Sequence, residues 1–318
     1  IHEFLKNNLK NDMCLGFDGR TVSGSEAEEL KKLLKEKNIH FSVEEDLIGE
    51  IWEDRPALSC EPVMELEMKW AGETRTSKIA RIRQQMKEEG ADIFILTSLD
   101  DIAWLLNIRG NDIHCCPVVL SYLIMTEKEV KLFAGEKAFP EKVRRNLEAD
   151  SVRIYPYNEV YTYAQKIDKD QNVLISEKCV NSRLVSSIPE NVTIMDRPNP
   201  TLLAKAVKNP VEMENERTAH IKDGVAVTKF IHWLKTKVGE ERITELSAAE
   251  KLYQFRSEQA NFLGDSFDPI IAYGIHAAIV HYSATEETDI PLEAKGMVLA
   301  DTGGHYLEGT TDITSTIV

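Results

Sequence analysis

Between Ser77 and Ser176 the sequence alternates short apolar runs with amphipathic stretches, and this alternation constrains the fold more than any other feature. Residues 92–97, 117–125, 131–133, 152–155 and 173–176 predict strands, each short, apolar and bounded by turn formers. Residues 127–129, Glu-Lys-Glu, predict the turn that makes 117–125 and 131–133 an antiparallel pair. Ser77 predicts a helix cap, with Ile79, Ile82 and Met86 at helical spacing behind it and Gly90 at the end. Further helical patterns occupy residues 99–106 and 161–169. Strands and helices in alternation predict an α/β layer domain.

The chain has 318 residues, about twice a usual domain, so the alternating segment is one unit among several. We expect units at 1–67, 68–199 and 200–318. The first reads as strand 13–17, a helix capped by Ser23 or Ser25 that carries Leu30, Leu33 and Leu34, and strand 40–43. Pro56 and Pro62 mark its boundary, and its thin core needs support from outside. The third opens on Asn209 as cap and Pro210 at the first helical position. Its helix runs to about Lys237 with Ile221, Val225, Thr228, Ile231, Trp233 and Leu234 as the expected apolar face. A second helix is expected over 244–259, then strands at 269–272, 278–282, 297–300 and 311–317, an α+β arrangement.

Composition excludes several function classes. Asp plus Glu is 53 against 38 for Lys plus Arg, a formal charge of -15. A field of that sign repels phosphate backbones and anionic lipid, so neither nucleic acid nor a membrane surface is an expected partner. No apolar run approaches the ~20 residues of a membrane span, and no charged-then-apolar leader is read at the start. Five cysteines without framework spacing point to a reducing, cytoplasmic setting. No phosphate-binding Gly loop, nucleophile elbow or zincin motif is present.

Chemistry concentrates at the end of the chain. Residues 301–312, Asp-Thr-Gly-Gly-His-Tyr-Leu-Glu-Gly-Thr-Thr-Asp, read as a Gly-rich hairpin. A turn centred between Tyr306 and Leu307 would set Asp301 directly opposite Asp312. Like charges across a ladder repel, so the pairing makes sense around a hard or borderline divalent ion such as manganese. The plainer reading is two aspartates near turns, where Asp is common. His281, expected to end the strand 278–282, is either a structural hydrogen-bonding residue or a catalytic one. His114-Cys115-Cys116 resembles a metal or redox cluster, but no partner pair at finger-like spacing follows, and it reads as loop or core. Asp100 and Asp101 read as capping and helix-dipole compensation at a helix start, and Trp70, Trp104 and Trp233 as core or interface.

Taken together, these segments resemble aminopeptidase P, in its long three-domain form, within the creatinase/prolidase pita-bread metallopeptidases. Residues 301–316 resemble that family's first metal-ligand motif. Residues 47–56, Leu-Ile-Gly-Glu-Ile-Trp-Glu-Asp-Arg-Pro, resemble the segment before its second domain. Residues 99–112, from Leu-Asp-Asp-Ile-Ala-Trp to Arg-Gly-Asn-Asp, resemble its second-domain stretch. Residues 204–209 with 219–223 resemble the entry helix of its catalytic domain. Four motifs in the family's order cover essentially the whole chain.

The resemblance implies a creatinase-type N-terminal α/β fold followed by the opening part of a pita-bread catalytic domain. It implies a metal-dependent aminopeptidase that releases an N-terminal residue when proline follows, acting on peptides as a homodimer. Two divalent ions are implied, usually Mn2+, with Zn2+ or Co2+ as substitutes. Asp301 and Asp312 match the first two metal ligands, Asp312 bridging both ions. His281 matches a histidine that contacts substrate near the scissile bond and assists proton movement, and Phe267 an aromatic lining the pocket for the first substrate residue. Ser315 stands where the family usually has Arg, and Ile275 where it often has Pro. On this alignment the chain begins partway into the first domain, and the family's remaining His and two Glu ligands fall beyond position 318. The expectation is weak metal binding and no turnover by this chain alone. Two rivals share the fold: a non-catalytic pita-bread module that binds peptide or protein, and a metal-free creatinase-like amidinohydrolase. The retained Asp pair argues against both.

Overall fold

The computed structural model describes residues 1–318. Two units emerge: Ile1–Glu65 with Thr74–Asp112 and Val118–Val207, and Leu66–Glu73 with Ile113–Pro117 and Lys208–Val318. The second therefore takes two short segments from within the first's span.

A six-stranded mixed sheet organises the first unit, in the spatial order Thr193–Asp196, Asn172–Ile175, Ile93–Leu96, Ser121–Thr126, Val130–Ala134, Val152–Pro156. Every residue of Ile93–Leu96 is buried. Ile93 and Ile95 enter one core with Tyr122, Val160 and Val173, while Phe94 and Leu96 enter the other with Ile82, Leu105 and Leu123. A strand covered on both faces reads as a continuous apolar run, which is why it was conspicuous in the sequence. The antiparallel pair about residues 127–129 forms as expected. Near the N-terminus, Cys14–Gly16 pairs in parallel with His40–Ser42, and Ser23 caps the helix Gly24–Leu34.

Three local expectations change. The cap of helix Arg75–Glu89 is Thr74, whose hydroxyl accepts from the Ser77 backbone; Gly90 ends the helix at φ 77° as expected. Asp101 does not cap its helix: it is buried and accepts a 2.7 Å hydrogen bond from the Thr201 hydroxyl, tying Pro200–Ala206 to Leu99–Leu106. The helix expected over 161–169 is shorter and earlier, Glu159–Ala164.

In the second unit, Asn209 caps the 28-residue helix Pro210–Lys237 through a capping box with Glu212. Asn209 also donates to the Ala71 carbonyl at 2.9 Å. Gly72, at φ 67°, is required there, since a Cβ would sit 2.3 Å from the Asn209 Oδ1. The expected apolar face is displaced: Ile221 and Val225 are 69% and 44% exposed. Leu234 is buried and Ile231 and Trp233 pack partly buried against the core as expected, but the rest of the buried stripe is Ala219, Asp223, Ala226 and Phe230, with a carboxylate in a core position. Phe230 and Leu234 pack with Ala248 and Leu252 of helix Glu245–Ser257 and with Ile271, Val298 and Ile317 of the sheet.

That sheet pairs Ile270–Tyr273, Val298–Thr302 and Ile313–Ile317 antiparallel, and a smaller one pairs Phe262–Asp265 with Gly304–Tyr306. Residues 278–282 do not form the expected strand. A short 3-10 segment, Gly274–Ala278, leads into a turn there.

Candidate metal and substrate site

The hairpin from Val298 to Ile317 is the frame of the candidate site. Its register differs from the expected one: Asp301 stands opposite Thr314, and the two-residue turn is Leu307-Glu308, closed by paired bonds between Tyr306 and Gly309. Asp312 is thus diagonal to Asp301 rather than facing it.

A buried ion pair sets this register. Arg256, 1% exposed, donates from Nε to Asp223 Oδ1 at 2.7 Å; Asp223 is fully buried. The same guanidinium donates to the Thr302 hydroxyl at 3.0 Å, and the Thr311 hydroxyl donates to Asp223 Oδ2 at 2.7 Å. Tyr306 adds a hydroxyl bond to Asp223 at 3.2 Å, and the Gly304 backbone donates to Thr311 Oγ1 at 2.9 Å. Burial, with the Asp223 charge beside it, pushes the Tyr306 phenol upward, so the group keeps the proton that it donates to Asp223. Successive strand side chains point to opposite faces. With Thr302 and Thr311 turned inward onto the ion pair, their neighbours Asp301 and Asp312 share the outer face.

Those two carboxylates have no Lys, Arg or His ion-pair partner; the one side-chain bond here is from the Thr314 hydroxyl to Asp301 Oδ1, 2.7 Å. Two oxygen donors on one face of a rigid ladder, uncompensated by any protein cation, suit a hard or borderline divalent ion. The donor set fits the metal that the resemblance implies. Ser315 pairs with Ala300 in the ladder, and Ile275 lies exposed in the 3-10 segment.

Phe267 is held against this frame. The Ser266 N–H donates to the Gly303 carbonyl at 3.1 Å, and its hydroxyl donates to the Thr311 carbonyl at 2.9 Å. The Phe267 ring lies 3.0 Å from where a Cβ on Gly303 would stand, so only glycine lets the aromatic approach. His281 is elsewhere on the chain's path: it occupies the turn after the 3-10 segment, exposed, at φ 55°, without a hydrogen bond to the protein.

Two groupings went unseen in the sequence. Glu245, fully buried at the first turn of its helix, accepts from the Tyr273 backbone at 2.8 Å, from His276 Nδ1 at 3.0 Å and from the Tyr282 hydroxyl at 2.9 Å. The His276 and Tyr282 rings stack at 4.5 Å, which closes the loop that presents His281. The sequence placed a helix over 244–259, but nothing local announced that Glu245 turns inward. The second grouping joins the 113–117 loop to the segment after Phe267. His114 Nε2 lies 2.8 Å from Asp268 Oδ1, and Cys115 Sγ lies 3.4 Å from the same nitrogen. Burial, reinforced by Asp268 and Asp265, pushes the Cys115 thiol up. Burial likewise raises Asp265 against the lowering pull of Arg256.

Comparison with known proteins agrees with this architecture. Residues 54–212 match the creatinase/prolidase N-terminal domain, and residues 214–318 match metallopeptidase family M24. Xaa-Pro aminopeptidase 1 of Dictyostelium discoideum is 34% identical over 330 residues, covering 100% of this chain and 52% of that protein. The Xaa-Pro aminopeptidase app-1 of Caenorhabditis elegans is 34% identical over 326 residues, covering 100% and 53%. A crystal structure of X-prolyl aminopeptidase from C. elegans, described as a cytosolic enzyme with a di-nuclear active site, superposes with a TM-score of 0.92 at 33% identity over 100% of this chain and 53% of that one. The Bacillus anthracis Xaa-Pro dipeptidase shares the fold at TM-score 0.59 and 18% identity, over 77% of this chain and 65% of that one. The chain spans about half the length of the curated relatives it matches. No helix is long and apolar enough to cross a membrane. In sequence and in fold, the chain belongs to the creatinase/prolidase family of M24 metallopeptidases.

Proposed function

We propose that this chain is part of a cytoplasmic Xaa-Pro aminopeptidase, a metal-dependent hydrolase that releases the N-terminal residue from peptides with proline second. Residues 1–67 and 68–199 are then the end of one creatinase-like domain and the whole of the next, and residues 200–318 the opening part of the catalytic domain. The protein acts on peptides as a homodimer, with neither nucleic acid nor membrane as partner. Asp301 and Asp312 hold two divalent ions, manganese by preference, in company with further ligands. The bound ions supply Lewis-acid polarisation of the scissile carbonyl and acidify a water. Phe267 lines the pocket for the first substrate residue, and His281 contacts the substrate and moves a proton near the scissile bond. Exposed on its turn with both ring nitrogens unengaged, His281 is available for that contact.

One observation carries the reading: the inward bonds of Thr302 and Thr311 to the Arg256–Asp223 pair aim Asp301 and Asp312 jointly outward with no cation of the protein's own. Calorimetric titration of Mn2+ into this chain, and hydrolysis of a Lys-Pro-Pro peptide by the full-length protein, test it. Asp301→Asn and Asp312→Asn should each abolish Mn2+ heat and lower kcat/KM by orders of magnitude. Unchanged hydrolysis in both variants would overturn the assignment.

A further inference from the structure

The 113–117 loop and the segment after Phe267 bring together three different ligand types that the proposed hydrolysis does not use. His114 Nε2, Cys115 Sγ and an Asp268 carboxylate oxygen all lie within 4.8 Å of one another. We propose that these three side chains form a second metal site, one that takes a thiolate-preferring divalent ion, zinc above all.

The separations suit such an ion. Four-coordinate zinc, with bonds of roughly 2.0–2.3 Å, places neighbouring ligand atoms roughly 3.3–3.7 Å apart. The Sγ to Nε2 separation is 3.4 Å, already in that range. The Nε2 to Oδ1 separation of 2.8 Å is a hydrogen bond, which must open by a few tenths of an ångström as a metal takes the place of the shared proton. Both end ligands can give: the His114 and Asp268 side chains are 80% and 70% exposed. That exposure also lets the ion in and leaves a fourth position for water, as in an open three-ligand zinc site.

The backbone beneath the ligands is built, not loose. Ile113 and Cys116 close a tight turn through a 3.1 Å backbone bond, with Cys115 at φ 53° between them. Its carbonyl accepts a 3.0 Å hydrogen bond from His305 Nε2, and the Thr310 hydroxyl sits 2.8 Å from His305 Nδ1. A thiolate ligand's own backbone is thereby anchored to the Val298–Ile317 hairpin, the kind of outer contact that orients ligands in metal sites. On the other side, Pro269 restricts Asp268 to extended backbone. Asp268 also follows directly on Ser266 and Phe267, which the hairpin holds.

Donor chemistry separates this site from the carboxylate pair. Thiolate and imidazole select zinc or cobalt, whereas Asp301 and Asp312 offer only the oxygens that suit manganese. The sequence hid the grouping because Asp268 lies 154 residues from His114. No finger-like spacing exists, and a search for paired Cys and His motifs passes over it.

Cobalt distinguishes the two sites, because a thiolate ligand produces an intense near-ultraviolet charge-transfer band and an all-oxygen site does not. The probe is Co2+ titrated into the protein under reducing conditions, with the exposed Cys14, Cys60 and Cys179 replaced by Ser. We expect the band to saturate with a single equivalent of cobalt and to be displaced by Zn2+. Cys115→Ser should abolish it, while Cys116→Ser and Asp301→Asn should leave it intact. His305→Ala should weaken cobalt binding roughly tenfold or more, as loss of outer-shell partners does elsewhere. Absence of the band, its survival in Cys115→Ser, or its loss in Asp301→Asn would each overturn the proposal. In the first case the three residues are only a salt bridge beside a thiol.

Discussion

Arg256 and Asp223, 33 positions apart in the chain, form a fully buried pair at 2.7 Å that fixes the register of a hairpin belonging to neither residue's helix. Both hydroxyls adjacent in the chain to the candidate metal ligands, on Thr302 and Thr311, are bonded to this pair. Breaking it should leave one charge stranded in the core. Arg256→Met is expected to destabilise the protein by about 3–5 kcal/mol, and Asp223→Leu combined with it should recover a large part of that loss. Urea unfolding of the two single variants and the double variant measures the coupling. A loss in the double variant equal to the sum of the two single losses would show that the pair does not act as a unit.

Thr311 makes a narrower test, because valine keeps its shape and removes only the hydroxyl. Thr311→Val leaves an Asp223 oxygen and the Gly304 N–H short of a partner. A cost of about 1–3 kcal/mol is expected. Mn2+ affinity should fall as well, since Asp312 is the next residue. Calorimetry on the folded variant at low temperature separates the second effect from the first.

Gly303 should not tolerate alanine. A Cβ there would lie 2.1 Å from the Thr311 carbonyl and 2.2 Å from Ser266 Oγ, so the Thr311 backbone and the Ser266 side chain must both move. Overpacking of this kind costs about 1–3 kcal/mol or more. Gly303→Ala should also speed amide exchange at Ser266 and Phe267. Wild-type exchange at those two amides would mean that they do not rest on the hairpin as described.

The turn residue Glu308 makes stability depend on pH. Burial alone would raise its carboxyl, but the bonds from Lys222 and Asn261 outweigh it and hold the group below its ordinary 4.5. A carboxyl lowered by folding stabilises the native state in full above the unfolded value, and that contribution disappears as pH falls through the folded one. Wild type should therefore exceed Glu308→Gln in unfolding free energy by a constant margin near neutrality. Below about pH 4.5 the margin should close. Thermal or urea unfolding of both proteins across that range reads it directly, and a margin that widens on acidification would contradict the ion pair.

Glu245 should control the loop that carries His281. Its carboxylate gathers the Tyr273 backbone, the His276 ring and the Tyr282 hydroxyl. Glu245→Ala unties all three, so faster amide exchange over residues 274–282 is expected, with helix Glu245–Ser257 retained by circular dichroism. Unaltered exchange in that window would assign the loop's order to some other contact.

The sequence by itself determined the elements whose signals are local. Apolar runs with turn formers marked the central strands, Asn209-Pro210 marked the long helix, and the glycines around Tyr306 marked a hairpin carrying both Asp301 and Asp312. Register, inward face and ligand company came from the tertiary structure. The turn sits one residue later than glycine placement suggested, because Thr302 and Thr311 must both reach Asp223 and Arg256. The long helix buries the side holding Asp223 and exposes Ile221 and Val225, because a paired carboxylate is stable in a core where a hydrophobic pattern assigns it to solvent. Cys115 meets Asp268 only through folding, since side-chain identity along a chain carries no record of which distant loop will close over it.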